Sequence, residues 1–186
     1  MEYNCLNQQE FCSGEYRLVP IRFEDRYLIM KWRNDQMYHL RQNKELTKEE
    51  QDFYFDNVVS HLFLKEQPEQ ILFSFLKNDE LIGYGGLVHM SWEDKRSEMS
   101  FLLNPELVND ENIYEEYFTK FIYLMKEVNF SILDFHKLFT ETYSHRSFHI
   151  CILEKAGFEL EGILRDHIII EKKYFNSIIH SIIKNV

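Results

Sequence analysis

Arg33 and Arg41 are the first residues along the chain whose chemistry reaches beyond packing. A guanidinium is always charged and offers its donors as a planar fork, which suits a carboxylate or phosphate on a ligand. Arg33 sits in Trp32-Arg33-Asn34-Asp35, with Tyr38 close behind, and Trp32 is expected to pack in the core. Tyr84, His89 and Tyr143 can each give or take a proton, although residues of these types also often sit half-buried without any chemistry. Glu98 follows Lys95 and Arg96, so it can pair with either on a wet edge. Partly buried instead, such a carboxylate suits general-base work. The run Gly83-Tyr84-Gly85-Gly86 is no phosphate loop, because it lies inside an expected strand, where glycine marks a bulge or a close approach. No Gly-x-Ser-x-Gly, no His pair at zinc spacing and no dinucleotide or kinase glycine loop is present. The sequence thus offers no motif of zinc, serine-nucleophile or phosphate-loop chemistry.

These side chains need a scaffold, and the apolar periodicity supplies one. A first strand is predicted near residues 16–21, and a short helix over 24–32 with Tyr27, Leu28, Met30 and Trp32 apolar. Asn34 and Asp35 compete for backbone hydrogen bonds and should break that helix. Thr47 and Glu50 form a capping box that opens a second helix, with Phe53, Tyr54, Asn57, Val58 and His61 on one side. Strands follow at 71–76, 81–92 and 98–103, the first two as a hairpin around Asn78-Asp79. Ile113, Tyr117, Phe121, Met125 and Val128 fall on one face of a helix over 109–128. A strand at 137–143, a helix at 147–156 and two strands at 158–170 and 174–183 complete the order. That is a mixed α/β (α+β) layout, a mostly antiparallel central sheet of about seven strands flanked by about four helices. Residues 1–14 read as a polar lead-in and residues 15–186 as one domain.

Composition bounds the function. At 186 residues, 45% hydrophobic and 16% aromatic, the chain has ample material for one core. A formal charge of −10 disfavours a nucleic-acid partner, for want of a basic field, yet suits a cationic amine. Cys5, Cys12 and Cys151 are an odd, unspaced set that reads as free thiols in a reducing compartment. Neither a signal peptide nor an apolar run of the ~20 residues a membrane helix needs is visible, so a cytoplasmic location is expected.

The most specific string is Leu153-Glu154-Lys155-Ala156-Gly157-Phe158, continued by Glu161-Gly162-Ile163-Leu164-Arg165-Asp166. It resembles the C-terminal half of the GNAT superfamily of N-acetyltransferases, particularly the branch with ribosomal-protein and sugar-nucleotide enzymes. Trp32-Arg33-Asn34 and Ile82-Gly83-x-x-Gly86-Leu87 resemble further family patterns, and the likeness runs from residue 15 to 184. It implies a sheet splayed at a cofactor cleft and acetyl-CoA as cosubstrate, with no metal. The acceptor would be a primary amine, on an amino sugar nucleotide or a protein N-terminus, attacking directly in a ternary complex.

The resemblance also implies roles. Backbone groups of Phe101, Leu102 and Leu103 would hold pantetheine and polarise the thioester, and preorganised donors of that kind are a large catalytic term. Glu98 would be the general base, with Tyr143 and His89 as further proton carriers. Asn112 and Ile113 would offer first-turn amides to the pyrophosphate. The family's glycine-rich loop is replaced there by 105–113, with Asp110 and Glu111 weakening affinity, and Arg146 is expected to compensate by pairing with a phosphate. The tyrosine that many relatives use as acid aligns with Leu153. Arg33, Asn34, Tyr38, Arg41 and Tyr84 would shape the acceptor pocket. A homodimer is possible. A GNAT fold that has lost productive cofactor binding and serves as a binding or regulatory protein is the alternative.

Overall fold

The computed structural model describes residues 1–184. Eight strands form one sheet in the order β1-β2-β3-β4-β5-β6-β8-β7. They are β1 (Phe11–Ser13), β2 (Tyr16–Pro20), β3 (Ile71–Lys77), β4 (Glu80–Ser91), β5 (Arg96–Leu103), β6 (Lys137–Tyr143), β7 (Glu159–Ile170) and β8 (Lys173–Ile183). Every neighbouring pair is antiparallel except β5 and β6. The helices are α1 (Arg26–Asp35), α2 (Lys48–Tyr54), α3 (Ser60–Leu64), α4 (Glu111–Lys126) and α5 (Ser147–Lys155). A π-helical turn at Phe55–Val59 joins α2 to α3, so four helical rods flank the sheet.

The core follows from the aromatic content. Phe101 lies 4.8 Å from Phe118 and 4.7 Å from Phe121 between ring centroids, and Phe75 is 5.4 Å from Phe121. α4 buries Tyr114, Tyr117, Phe118, Phe121, Ile122, Leu124 and Met125 against this cluster. Fixing these rings clamps β5 to α4, and β5 is the strand that lines the cleft. Glycine is required where β4 squeezes between its neighbours: a Cβ on Gly86, at φ +150°, would lie 2.0 Å from the Ile71 carbonyl. The glycine run on β4 is therefore structural. α5 ends as its sequence demands. Gly157 takes φ +88°, its N–H bonds the Glu154 carbonyl at 2.9 Å, and the Phe158 N–H bonds the Leu153 carbonyl at 3.0 Å. That pair of bonds is a Schellman cap.

Four expectations are corrected. The polar lead-in supplies the eighth strand, β1, and buries Tyr3, Leu6 and Phe11. The Tyr3 hydroxyl both donates to the Leu72 carbonyl (3.0 Å) and accepts from the Leu72 N–H (2.9 Å), which ties this segment to β3. α1 runs through Asn34 and Asp35 to stop at Gln36, because Asn34 turns its amide to a distant loop rather than its own backbone. It buries Ile29 and Trp32 and leaves Tyr27 and Leu28 exposed. Along α2 and α3 the buried residues are Phe55, Val59, Leu62 and Phe63, with Phe53 exposed. The π turn adds a residue per turn, which rotates the apolar face away from the 3.6-residue expectation.

Candidate active site

β5 and β6 hold together for three residues only: Arg96 faces Lys137, Ser97 faces Leu138 and Glu98 faces Phe139. Beyond Glu98 they part. β6 turns to β8 while β5 stays with β4, so the sheet forks and a cleft of about 200 Å3 opens between them. The Asn104 N–H donates towards β4, to the Ile82 carbonyl at 2.8 Å, whereas the Leu103 carbonyl faces the cleft and accepts from Gln36 Nε2 at 2.8 Å. Backbone groups of successive residues point to opposite sides of a strand, so Met99 and Phe101 also turn their N–H and C=O into the cleft. The β5–β6 pairing does not extend to these groups.

Glu98 lies buried at the fork. Its carboxylate accepts from Arg41 Nη2 at 2.9 Å and Nη1 at 3.3 Å, and pairs with His89 Nδ1 at 2.7 Å. Neither Lys95 nor Arg96 is its partner. Arg41 also reaches Glu141 on β6 at 2.5 Å, so one guanidinium bridges two carboxylates across the fork. Arg41, expected as a ligand for a substrate anion, has its charge matched within the protein. The bridge carries two negative charges to one positive, which favours an incoming ammonium group. The Glu98 side chain is only 9% exposed and that of His89 is 63% exposed, so the imidazole links the carboxylate to solvent. His89 adopts φ +46° where the β4 register slips between Val88 and Ser91, and that bulge aims its ring at Glu98. Tyr143 ends β6 in the cleft wall, with burial holding its hydroxyl protonated above the usual range.

The outer end of the cleft continues into a second hollow of about 240 Å3 beside the starts of α4 and α5. Here Arg146 has only neutral partners, the Tyr114 hydroxyl at 2.9 Å and His149 Nδ1 at 3.4 Å. Burial and the nearby Arg146 charge push His39 down to about 3 and hold His149 well below the usual imidazole range. Both are neutral at physiological pH, and His149 stacks on Phe118 at 4.1 Å. Arg146 is thus the cation of this hollow.

The start of α4 is different from expectation. Asp110 Oδ1 accepts from the N–H groups of Asn112 (3.0 Å) and Ile113 (3.1 Å), so the amides assigned to a pyrophosphate are already capped by a carboxylate. An N-cap of this kind is good for the helix and bad for an anion. Asn34 is also redirected. Its Oδ1 accepts from the Leu46 N–H (2.9 Å) and Gln42 Nε2 (2.8 Å), and its Nδ2 donates to the Leu46 carbonyl (3.0 Å), so it braces a loop and has little left for a substrate. Tyr38 is half exposed beside His39 at the outer hollow, and Leu102 and Leu103 line its β5 side. Tyr84 lies across β5, where its hydroxyl accepts from Arg33 Nη1 at 2.7 Å.

The fold thus brings Glu98, Phe101, Tyr143, Arg41, Arg33 and Arg146 around one cleft. Gln36, His39, Glu141, Tyr114 and His149 belong to it as well, and sequence reasoning alone does not single them out. Among the described residues no group of three His, Cys, Asp or Glu is placed to hold a metal, and no helix is long and apolar enough to cross a membrane.

A sheet that forks beside a capped helix, with unpaired backbone on one prong, defines a class. The sequence profile of the acetyltransferase (GNAT) domain family matches residues 18–179, and the chain belongs to that family. It is an acetyltransferase by class. Spermidine N-acetyltransferase from Vibrio cholerae, in complex with CoA and spermine, matches with a TM-score of 0.78 at 17% identity, covering 92% of this chain and 96% of that one. A dodecameric structure of the same enzyme matches at 0.76 and 17%, covering 92% and 95%. Likeness at such identity is likeness of fold. No curated protein matches the chain in sequence.

Proposed function

We propose that the chain transfers acetyl from acetyl-CoA to the primary amine of a small molecule, by direct attack while both substrates are bound. The observation that carries this reading is the fork beyond Glu98, where unpaired backbone of β5, a buried carboxylate and the Tyr143 hydroxyl face one space. The residues present fit acetyl-CoA at the fork, and Arg146 replaces the α4 amides as its anion contact. The Phe101 N–H is placed to hold the thioester carbonyl. A fixed donor in a partly closed cleft needs no reorganisation as charge develops on that oxygen, so it favours the transition state. Glu98 takes the proton that the ammonium must lose before it can attack. His89 passes that proton to solvent. Arg41 holds the Glu98 carboxylate in place with two hydrogen bonds. Tyr143 gives a proton to the departing sulfur and takes back the second proton that the acylated nitrogen sheds.

The relatives named above bear the name of spermidine, and an amino sugar nucleotide or a protein N-terminus is the expectation from sequence. What this structure supports in common is the amine. Thermal-shift and calorimetric titration with acetyl-CoA test the cofactor half, because a ligand bound to the folded state alone raises the melting temperature. An absence of binding at millimolar acetyl-CoA would transfer the chain to the alternative reading, a GNAT-fold binding or regulatory protein.

A further inference from the structure

On the opposite side of the β5 backbone from the fork lies a third cavity, of about 280 Å3, enclosed by α1, α2, the loop between them and strands β3 to β5. Its walls are mostly apolar or aromatic, with Ile29, Leu46, Tyr54, Phe55, Leu72 and Val88 among them. It is no separate site. Arg33 and Ser100 line both this cavity and the cleft that holds Glu98, so the two spaces meet at these residues.

Arg33 is the unusual residue. Its Nε donates to Gln42 Oε1 at 3.0 Å and its Nη1 to the Tyr84 hydroxyl at 2.7 Å, both neutral acceptors. Among the described residues it pairs with no carboxylate, whereas Arg22, Arg26 and Arg41 each do. A guanidinium has five N–H donors in a fixed fork, so three stay available here. A half-buried cation without a counter-ion is costly to hold. Glu50, the one carboxylate in this cavity's lining, is committed elsewhere, to Lys44 and to the Thr47 N–H of its capping box.

We infer that Arg33 is an anion subsite for the amine acceptor, which is an amine with an apolar body and a carboxylate or phosphate close to the amino group, an apolar α-amino acid being the simplest member. The inference rests on the acetyl-transfer reading and narrows its substrate. The apolar body fills the cavity, the anion meets the free face of the guanidinium, and the amine passes Ser100 towards Glu98. A polyamine matches neither the cation nor the apolar walls. A sugar nucleotide supplies phosphates, but its sugar and base find few polar partners in this cavity.

The test is a panel of acceptors with acetyl-CoA: L-phenylalanine and L-leucine, phenethylamine without the carboxylate, phosphoethanolamine and glucosamine 6-phosphate for the phosphate source, and spermidine. Phenylalanine or leucine should exceed phenethylamine at least tenfold in kcat/KM. Arg33→Gln should erase that preference by raising the acceptor KM about tenfold to a hundredfold, the usual range for a hydrogen bond to a charged group, with the acetyl-CoA KM unchanged. A lead for the two phosphates, lost in the same variant, upholds the anion subsite and names it a phosphate site. Spermidine or phenethylamine as the best acceptor, with Arg33→Gln indifferent, overturns the inference while leaving acetyl transfer standing. If no amine is acetylated, 3-phenylpropanoate binding by calorimetry decides: binding that disappears in Arg33→Gln supports the subsite, and no binding to the unaltered chain overturns it.

Discussion

The inner and outer ends of the cleft are built on opposite electrostatic plans. Around Glu98 the charges are paired: Arg41 bridges Glu98 and Glu141, and His89 backs Glu98. At the outer end Arg146 has none, and the two histidines near it are kept neutral. The Arg41 bridge itself carries two carboxylates to one guanidinium and has a route for protons through His89, which suits an ammonium that must be deprotonated. The outer end carries one surplus positive charge, which suits a phosphate. A single groove can therefore sort the two ends of a reaction by sign, and the fork in the sheet is what separates them.

Several substitutions can break that contrast or sharpen it. The largest effect is expected at the inner end. Glu98→Gln keeps shape and much of the hydrogen bonding, so acetyl-CoA should still bind while kcat falls by ~10²–10⁴, the usual worth of general-base assistance. The acidic limb of the pH–rate profile should change with it. Near-full kcat with the same limb would leave Glu98 as a partner for Arg41 and nothing more.

At the outer end, Arg146→Ala should raise the acetyl-CoA KM about tenfold to a hundredfold, since it removes a charge-assisted bond worth about 1.5–3 kcal/mol. Steady-state kinetics at saturating amine measure this, and an unchanged KM would deny the outer end its anion. The neutral histidines predict a pH effect on stability. Their folded pKa values lie below the unfolded value of about 6.5, so the unfolded chain binds protons that the folded chain refuses. Stability is therefore complete above about pH 6.5 and declines as pH falls towards the folded values, by about 1.4 kcal/mol per pH unit for each histidine. Urea unfolding between pH 6.5 and 5 should show this slope, and His149→Gln should remove one histidine's share of it. An unaltered slope in the variant would mean His149 titrates normally.

The smallest effect is expected from Asp110→Asn. Asparagine keeps the cap but drops the charge at the start of α4, next to Asn109 of the outer hollow's lining. A terminal charge of this kind is worth about 0.3–1 kcal/mol, so the acetyl-CoA KM should fall only about two- to fivefold, and more at low salt than at high salt. A KM that rises instead would place the phosphates away from α4.

Much of this architecture is legible in the amino-acid sequence. The order of elements, the α4 face from Tyr117 to Met125, the Gly157 terminus and the Thr47 capping box all rest on short-range rules, and all appear. The capping box is complete, with the Glu50 N–H bonding Thr47 Oγ1 at 3.2 Å and Glu50 Oε2 accepting from the Thr47 N–H at 3.0 Å. Residues 1–14 resist such reading because their polar composition hides three well-spaced apolar anchors, Tyr3, Leu6 and Phe11, whose partners lie far along the chain. The π turn at Phe55–Val59 leaves no signal either, because one extra residue per turn alters which side faces inward without altering composition.

By itself the sequence determined where chain segments become helix or strand, which residues can carry charge or protons, and the family to which they belong. Periodicity, caps and turn residues act within a few positions, so they can be read in one dimension. Which charges meet was decided only by the tertiary structure. Arg33 and Arg41 share a segment and a chemistry, yet one folds against Gln42 and Tyr84 and the other against Glu98 and Glu141. That difference depends on Tyr84 in β4, Glu98 in β5 and Glu141 in β6, all distant in sequence, and Coulomb energies follow distance in space and burial rather than position along the chain.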